Sequence, residues 1–168
     1  ALGEYDREEG WRDSKKDGGI LIHLPSGEIV CRKLCMPHSP RIYANRLWIL
    51  DSGVGELQVV DPASGVREPV CRLPGYLRGL RFYDRFAFVG LSMIRESNTF
   101  GGLPISERVS ELECAIYVID ITTGQQIGKI HFTKGIEELF DITIFPNCVY
   151  PGMVGFEEDT VNGVYILE

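Results

Sequence analysis

The chain has 168 residues, of which 44% are hydrophobic, and it carries a formal charge of −7. This length and composition suit one folded domain over residues 1–168 with a core of its own. The acidic balance argues against nucleic acid or an anionic membrane as partner, since both depend on attraction between cations and phosphates. No apolar run approaches the ~20 residues that a membrane-spanning helix needs.

The cysteines are odd in number, and a chain of this size can build a core without disulfides. We therefore expect reduced thiols and a cytoplasmic location. Two of them lie close together at Cys31 and Cys35, but no second pair of Cys or His follows at the spacing of a zinc site. The sequence indicates no particular cofactor and no transition-metal site, although carboxylates could hold a hard cation.

A hairpin turn occurs three times along the chain, at residues 19–28, 56–66 and 115–125. Each copy has a β-prone run, a polar turn that ends in Ser-Gly or Thr-Gly, and a second β-prone run. Asp61 and Asp120 can accept bonds from their own turn backbone, and the turn glycine can adopt positive φ. The sequence therefore predicts outer strands at about 28–33, 67–73 and 126–132.

The spacing of these turns predicts the fold. Gly27 and Gly65 are 38 residues apart, while Gly65 and Gly124 are 59 apart because of an insertion at 95–113. Four short strands per ~40 residues is the period of a propeller blade. We expect an all-β, partial β-propeller of four-stranded antiparallel blades, about two whole and two partial, with a β-sandwich as the alternative. The rest of the ring would come from further sequence, another chain or a symmetry mate.

The insertion is the predicted lid, because long irregular loops in compact domains are usually functional. Its one helical pattern covers residues 106–113. Arg95 and Glu96, at its start, are candidate ligand contacts. Packing against a neighbouring blade or chain explains the insertion almost as well.

Several long motifs resemble a known family. They stand at residues 36–41 (MPHSPR), 73–80 (LPGYLRGL), 102–108 (GLPISER) and 137–141 (EELFD). In this order they resemble an uncharacterised, mainly bacterial family of conserved hypothetical proteins that look propeller-like. Members are typically longer, so the resemblance implies that this chain is a C-terminal half. It implies no activity.

Polar residues at equivalent strand entries form the candidate site, because the innermost strands of a propeller begin near its central funnel. The repeat places Ser39 level with Arg78 and Phe140. His38, between two prolines, is the candidate acid/base, since imidazole titrates near neutrality. The candidate catalytic partners of His38 and the candidate ligand contacts around it are Glu137, Asp141, Glu138, Ser39, Arg41 and Arg78.

Two further candidates lie near the N-terminus. The planar fork of Arg12 suits a carboxylate or phosphate, and Trp11 could stack on a ligand ring. Surface ion pairing and core packing are the structural alternatives. The sequence thus favours a protein that binds a small anionic or carbohydrate-like molecule in its funnel, with lyase or hydrolase chemistry at His38. The alternative is a non-enzymatic protein-interaction or assembly module.

Overall fold

A computed structural model describes residues 1–93 and 101–151, and these residues are almost entirely β-structure. They also include two short helices. A 3₁₀ helix at Gly10–Ser14 precedes the strands, and α1 at Pro104–Arg108 lies between two of them. The strands are β1 (Gly19–Ile22), β2 (Ile29–Leu34), β3 (His38–Tyr43), β4 (Arg46–Asp51), β5 (Glu56–Val60), β6 (Arg67–Arg72), β7 (Tyr76–Tyr83), β8 (Phe86–Ser92), β9 (Ala115–Asp120) and β10 (Gln126–His131).

The strands form two four-stranded antiparallel sheets and one hairpin. Consecutive strands are neighbours in the β3–β6 sheet and in the β7–β10 sheet, while β1 pairs with β2. This confirms the predicted all-β class. The arrangement is consistent with blades of a partial propeller and with a sandwich.

The three predicted hairpin turns are present and share their geometry. Gly27, Gly65 and Gly124 have φ of 77°, 71° and 72°. The Oδ1 atoms of Asp61 and Asp120 accept from backbone N–H groups two residues ahead, at 2.8 and 2.9 Å. A short polar side chain before a glycine thus closes each four-stranded sheet between its third and fourth strands.

The first strands of the two sheets carry the same β-bulge. β3 shifts register between His38 and Arg41, and β7 shifts between Leu77 and Leu80. Ser39 and Gly79 occupy the bulges with φ of 50° and 76°. When the turns and bulges of the two sheets are aligned, Ser39 corresponds to Gly79 and His38 corresponds to Arg78. The register expected from the sequence, which placed Ser39 level with Arg78, differs from this by one residue.

The main core lies between the two four-stranded sheets, because β3 and β4 pack against β7. It is built from buried aliphatic and aromatic residues of both sheets, among them Trp48, Leu57, Leu77 and Tyr117. The β1–β2 hairpin has a smaller core with Leu34, Ile49 and Val60. The first strands of the two sheets are therefore held side by side.

The described part of the insertion is anchored rather than detached. Leu103 and Ile105 are fully buried, and the Ile105 N–H donates to the Gly53 carbonyl at 2.9 Å. Arg108 donates to the Leu73 carbonyl at 3.0 Å. The helix begins and ends earlier than the predicted 106–113, because Pro104 fits the first turn of a helix.

Candidate functional site

Side chains from β3, β7 and the segment 137–142 form one group, here called the first-strand cluster. The segment lies against the β7 bulge, since a Cβ placed on Gly79 would be 2.8 Å from the Cα of Asp141. The Ser92 hydroxyl fixes the segment further by accepting from the Leu139 N–H at 2.9 Å and donating to the Leu139 carbonyl at 3.0 Å. The cluster consists of His38, Arg41, Tyr76, Arg78, Phe140 and Asp141.

The imidazole of His38 is held through its Nδ1 atom. This atom lies 2.9 Å from the Met36 carbonyl and 3.0 Å from the Ser52 hydroxyl. A carbonyl can only accept, so Nδ1 carries the hydrogen and Nε2 has the lone pair of the neutral ring. Burial lowers the pKa of His38, and the positive charge of Arg78 lowers it further. A neutral imidazole with a basic Nε2 is what a general base requires.

Arg78 is the most unusual member of the cluster. Its guanidinium lies 4.4 Å from the ring centroid of Phe140. Its Nε atom is buried and, within residues 1–93 and 101–151, has no hydrogen-bond acceptor. A buried donor without an acceptor costs free energy that a bound anion can recover.

Tyr76 connects His38 with Arg78. Its ring is nearly buried and meets the His38 ring edge-on, with centroids 5.6 Å apart. Burial raises the pKa of the phenol, while the charge of Arg78 opposes that rise. The phenol is therefore neutral near pH 7, and the cluster has a net positive interior.

Arg41 and Asp141 close the outer side of the cluster. Their side chains approach to 3.6 Å, and both are partly open to solvent. Such an exposed pair contributes little to stability, so Arg41 can exchange Asp141 for a ligand at low cost. Ser39 lies between His38 and Arg41 at the bulge, and bulges commonly redirect side chains beside functional sites.

The structure distributes the remaining predicted residues elsewhere. The backbone carbonyl of Glu137 accepts from Met93 N–H, and the charges of Glu137 and Glu138 add to the burial that raises the pKa of Cys114. Trp11 is partly buried and packs against a hydrophobic cluster that includes Tyr76 and Leu103. Arg12 lies over the Trp11 ring and pairs with Glu9 at the surface.

Arg95 and Glu96 lie outside the described residues. Within the described ranges, no group of three His, Cys, Asp or Glu side chains is placed to hold a metal ion. The five cysteines, all of them described, are free thiols.

Sequence reasoning missed Ser52 and Tyr76. Ser52 is fully buried after the end of β4, and Tyr76 begins β7. Their shared signal is a side chain with a hydroxyl group at the end of a strand that has several buried apolar residues. Such a side chain must find a partner inside the protein.

These observations define a class, an all-β chain of four-stranded antiparallel sheets with a polar cluster beside the first strands. Residues 1–154 match the family model described as "Domain of unknown function (DUF4915)". The chain therefore belongs to this uncharacterised domain family. A search of the curated proteins finds no match. No helix of the described part is long and apolar enough to cross a membrane.

Proposed function

We propose that the first-strand cluster binds a small anionic molecule, such as a sugar acid, in the funnel of a propeller. The observation that carries this proposal is the buried Nε of Arg78, which has no acceptor among the described residues. A guanidinium presents a planar fork of donors that matches a carboxylate or a phosphate. The ligand anion would supply the acceptor that the described residues do not.

The neighbours of Arg78 suit the rest of such a ligand. Arg41 offers a second cation, which donates to the Pro40 carbonyl at 3.1 Å and makes a loose pair with Asp141. The Phe140 ring is largely exposed and presents an apolar surface next to Arg78. An anionic group with a polar, ring-shaped body would use all three side chains.

His38 gives the site a route to acid/base chemistry. Its Nδ1 is occupied by the protein, so Nε2 is the atom that can take a proton from a ligand. A general base of this kind can serve both lyase and hydrolase reactions. Glu137 and Asp141 remain the proposed carboxylate partners, and Asp141 would become available when a ligand displaces it from Arg41.

Ligand binding is tested by thermal unfolding with sodium glucuronate and, separately, with inorganic phosphate. We expect glucuronate to raise the unfolding temperature of the wild type, because a ligand at 100 times its Kd stabilises the folded state by about 2.7 kcal/mol. Arg78→Gln should lose this stabilisation. Arg81→Gln is the matched control, since Arg81 is exposed on the same strand.

Stabilisation that survives Arg78→Gln would refute binding at the cluster. An equal rise with phosphate and glucuronate would show recognition of the anion alone, without the sugar-like body. If neither compound raised the unfolding temperature, both recognition of an anion and recognition of a sugar acid by the cluster would be refuted.

The exposed apolar side chains of Leu24 and Ile42 favour a second function, the protein-interaction or assembly module. Surface patches of this kind commonly mark binding to another polypeptide. This function predicts that partner binding survives Arg78→Gln and is lost in Ile42→Asp. Pull-down with both variants would separate it from ligand binding.

A reducing, cytoplasmic environment is also proposed, on the strength of five free thiols. Alkylation in denaturant directly on cell lysis, followed by mass spectrometry, should label all five cysteines without prior reduction, including the buried Cys31, Cys35 and Cys114. A cysteine that is labelled only after reduction would contradict this location.

A further inference from the structure

The β1–β2 hairpin is equivalent to the third and fourth strands of the complete sheets. Its turn has the same two backbone bonds as theirs, His23 N–H to Glu28 O at 2.9 Å and Gly27 N–H to His23 O at 2.8 Å. The corresponding bonds from Asp61 to Val66 and from Gly65 to Asp61 are also 2.9 and 2.8 Å. A first and a second strand are therefore the parts that this hairpin lacks among the described residues.

The free edge of β1 already accepts a strand in the right place. The Ala1 amino group donates to the Ile20 carbonyl at 2.8 Å, and the Ile20 N–H donates to the Ala1 carbonyl at 3.0 Å. Because His23 and Asp61 occupy the same turn position, Ile20 of β1 corresponds to Gln58 of β5. Gln58 pairs with Ile49 of β4, so Ala1 occupies the position that Ile49 has in the complete sheet. The peptide groups of Ile22 point to the same edge, because antiparallel pairing alternates along a strand.

A groove of about 1700 Å³ opens beside this edge, between the hairpin and the β3–β6 sheet. Among the residues that line it are Leu24 and Ile42, which are 81% and 82% exposed. Exposed large apolar side chains that line one groove commonly mark a site of binding to another polypeptide.

The other sheet shows what covers the position of Ile42. Its equivalent on β7 is Phe82, which stacks on Tyr43 with centroids 4.5 Å apart and tilts against Trp48 at 5.2 Å. Tyr43 ends the first strand of the preceding sheet, and Trp48 is the third residue of its second strand. Ile42 is exposed because no such pair of strands precedes it among the described residues.

We propose that this groove is a docking site for a β-hairpin of the type formed by β3 and β4. The hairpin adds to the edge of β1 with its second strand in line with Ala1. It covers Ile42 with large apolar side chains at the positions of Tyr43 and Trp48. This surface shares Arg41 with the first-strand cluster, but the strand pairing at β1 and the cover over Ile42 do not use Arg78 or His38.

The test extends the full chain by a second copy of residues 37–48, placed directly before Ala1. The copied Trp48 then precedes Ala1 in the second strand, in the register set by the Ala1–Ile20 pair. We expect a higher unfolding temperature and amide exchange at Ile22 that is slower by about tenfold or more, because a paired strand edge opens rarely. The matched control has serine at the copied Tyr43 and Trp48 positions and should give neither effect.

Unchanged exchange at Ile22 in the extended chain would overturn the proposal. Equal protection by the serine control would also overturn it, since edge pairing would then need no packing on Ile42. Light scattering of the original chain tests the competing occupant. A dimer that Ile42→Asp converts to a monomer would place a second copy of the chain in the groove instead.

Discussion

The two four-stranded sheets have the same strand order but different interiors. In the β3–β6 sheet the end of the second strand pairs Asp51 with Glu56, whereas the equivalent pair in the β7–β10 sheet is Leu91 with Ala115. Gln58 corresponds in the same way to Tyr117. Asp51, Glu56 and Gln58 are all nearly buried. At the junction of the second and third strands, the β3–β6 sheet therefore has buried polar contacts, whereas the β7–β10 sheet has apolar packing.

The polar contacts form a connected network. Arg67 donates to the Asp51 carboxylate at 2.9 Å, Gln58 donates to Glu56 at 2.7 Å, and Arg72 donates to Glu56 at 2.6 Å. Burial raises the pKa of Asp51, which the Arg67 charge and bonds from the protein oppose. Buried carboxylates persist when their partners are complete, as they are here.

The network also connects the sheet to the β1–β2 hairpin. The Cys35 N–H donates to Asp51 at 2.7 Å, and Arg67 donates to the Lys33 carbonyl at 3.1 Å. The β7–β10 sheet packs directly on a complete neighbour, whereas the β3–β6 sheet meets an incomplete one. Hydrogen bonds therefore hold the β3–β6 sheet to the β1–β2 hairpin, where the apolar core is small.

The largest expected effect comes from Asp51→Leu, which gives this sheet the residue of its counterpart. Arg67 loses its carboxylate partner and the Cys35 N–H loses its acceptor, so the free energy of unfolding should fall by about 3–5 kcal/mol. Urea denaturation at pH 7 measures the change. Glu68→Ala is the control, because Glu68 pairs with Arg46 only at the surface, and it should change stability by less than about 0.5 kcal/mol.

The full exchange of Asp51→Leu, Glu56→Ala, Gln58→Tyr and Arg67→Gln sharpens this comparison. It removes Asp51, Glu56 and Arg67 together and leaves only the exposed Arg72 without its carboxylate, so it should be more stable than Asp51→Leu alone. If the fourfold variant were less stable than the single variant, the network would contribute more than mutual neutralisation of its members.

A smaller effect is expected at the equivalent pair Phe82 and Ile42. Phe82→Ala removes the stack on Tyr43 and should destabilise by about 2 kcal/mol, less than a fully buried Phe because it is partly exposed. Ile42→Ala should cost less than about 0.5 kcal/mol, because its side chain faces solvent. Thermal unfolding of both variants gives the comparison, and a costly Ile42→Ala would mean that the groove is already filled.

The smallest effect concerns the pH dependence from His38. Its folded pKa is lowered, so the unfolded chain takes up this proton first as the pH falls below about 6.5. The stability that the neutral ring contributes is therefore present above that pH and is lost as the pH falls toward the folded pKa. His38→Gln should flatten the dependence between pH 7.5 and 5 in urea titrations, with His131→Gln as the control for loss of an imidazole. If the free energy of unfolding of His38→Gln depended more steeply on pH than that of the wild type, the protonated ring of His38, and not the neutral ring, would stabilise the folded state.

Local chemistry explains which parts of the fold could be predicted. The Asp61 and Asp120 turns were identifiable because the side chain, the turn and the glycine lie within a few residues of each other. The outer strands followed to within one or two residues. The register at Ser39 was wrong by one residue, since a serine at positive φ carries no sequence signal that a glycine such as Gly79 would give.

The site depends on contacts that are distant in sequence, so only part of it could be predicted. The pair of Arg41 with Asp141 and the contact of Arg78 with Phe140 lie where β3, β7 and the segment 137–142 adjoin, while the role of these residues as a site stays a prediction. Ser52 and Met36, which hold the His38 ring, are defined by the fold around β4. The burial of Asp51 and Glu56 likewise depends on neighbours that no local pattern specifies.

The most direct test of the central claim is NMR of the Arg78 side chain during a titration with sodium glucuronate. The account predicts that the Nε–Hε signal of Arg78 shifts and saturates, while the signal of Arg81 stays in place, because the ligand supplies an acceptor to Arg78 Nε, which has none within residues 1–93 and 101–151. An Arg78 signal that does not move, or equal shifts at Arg78 and Arg81, would contradict an anion site in the first-strand cluster.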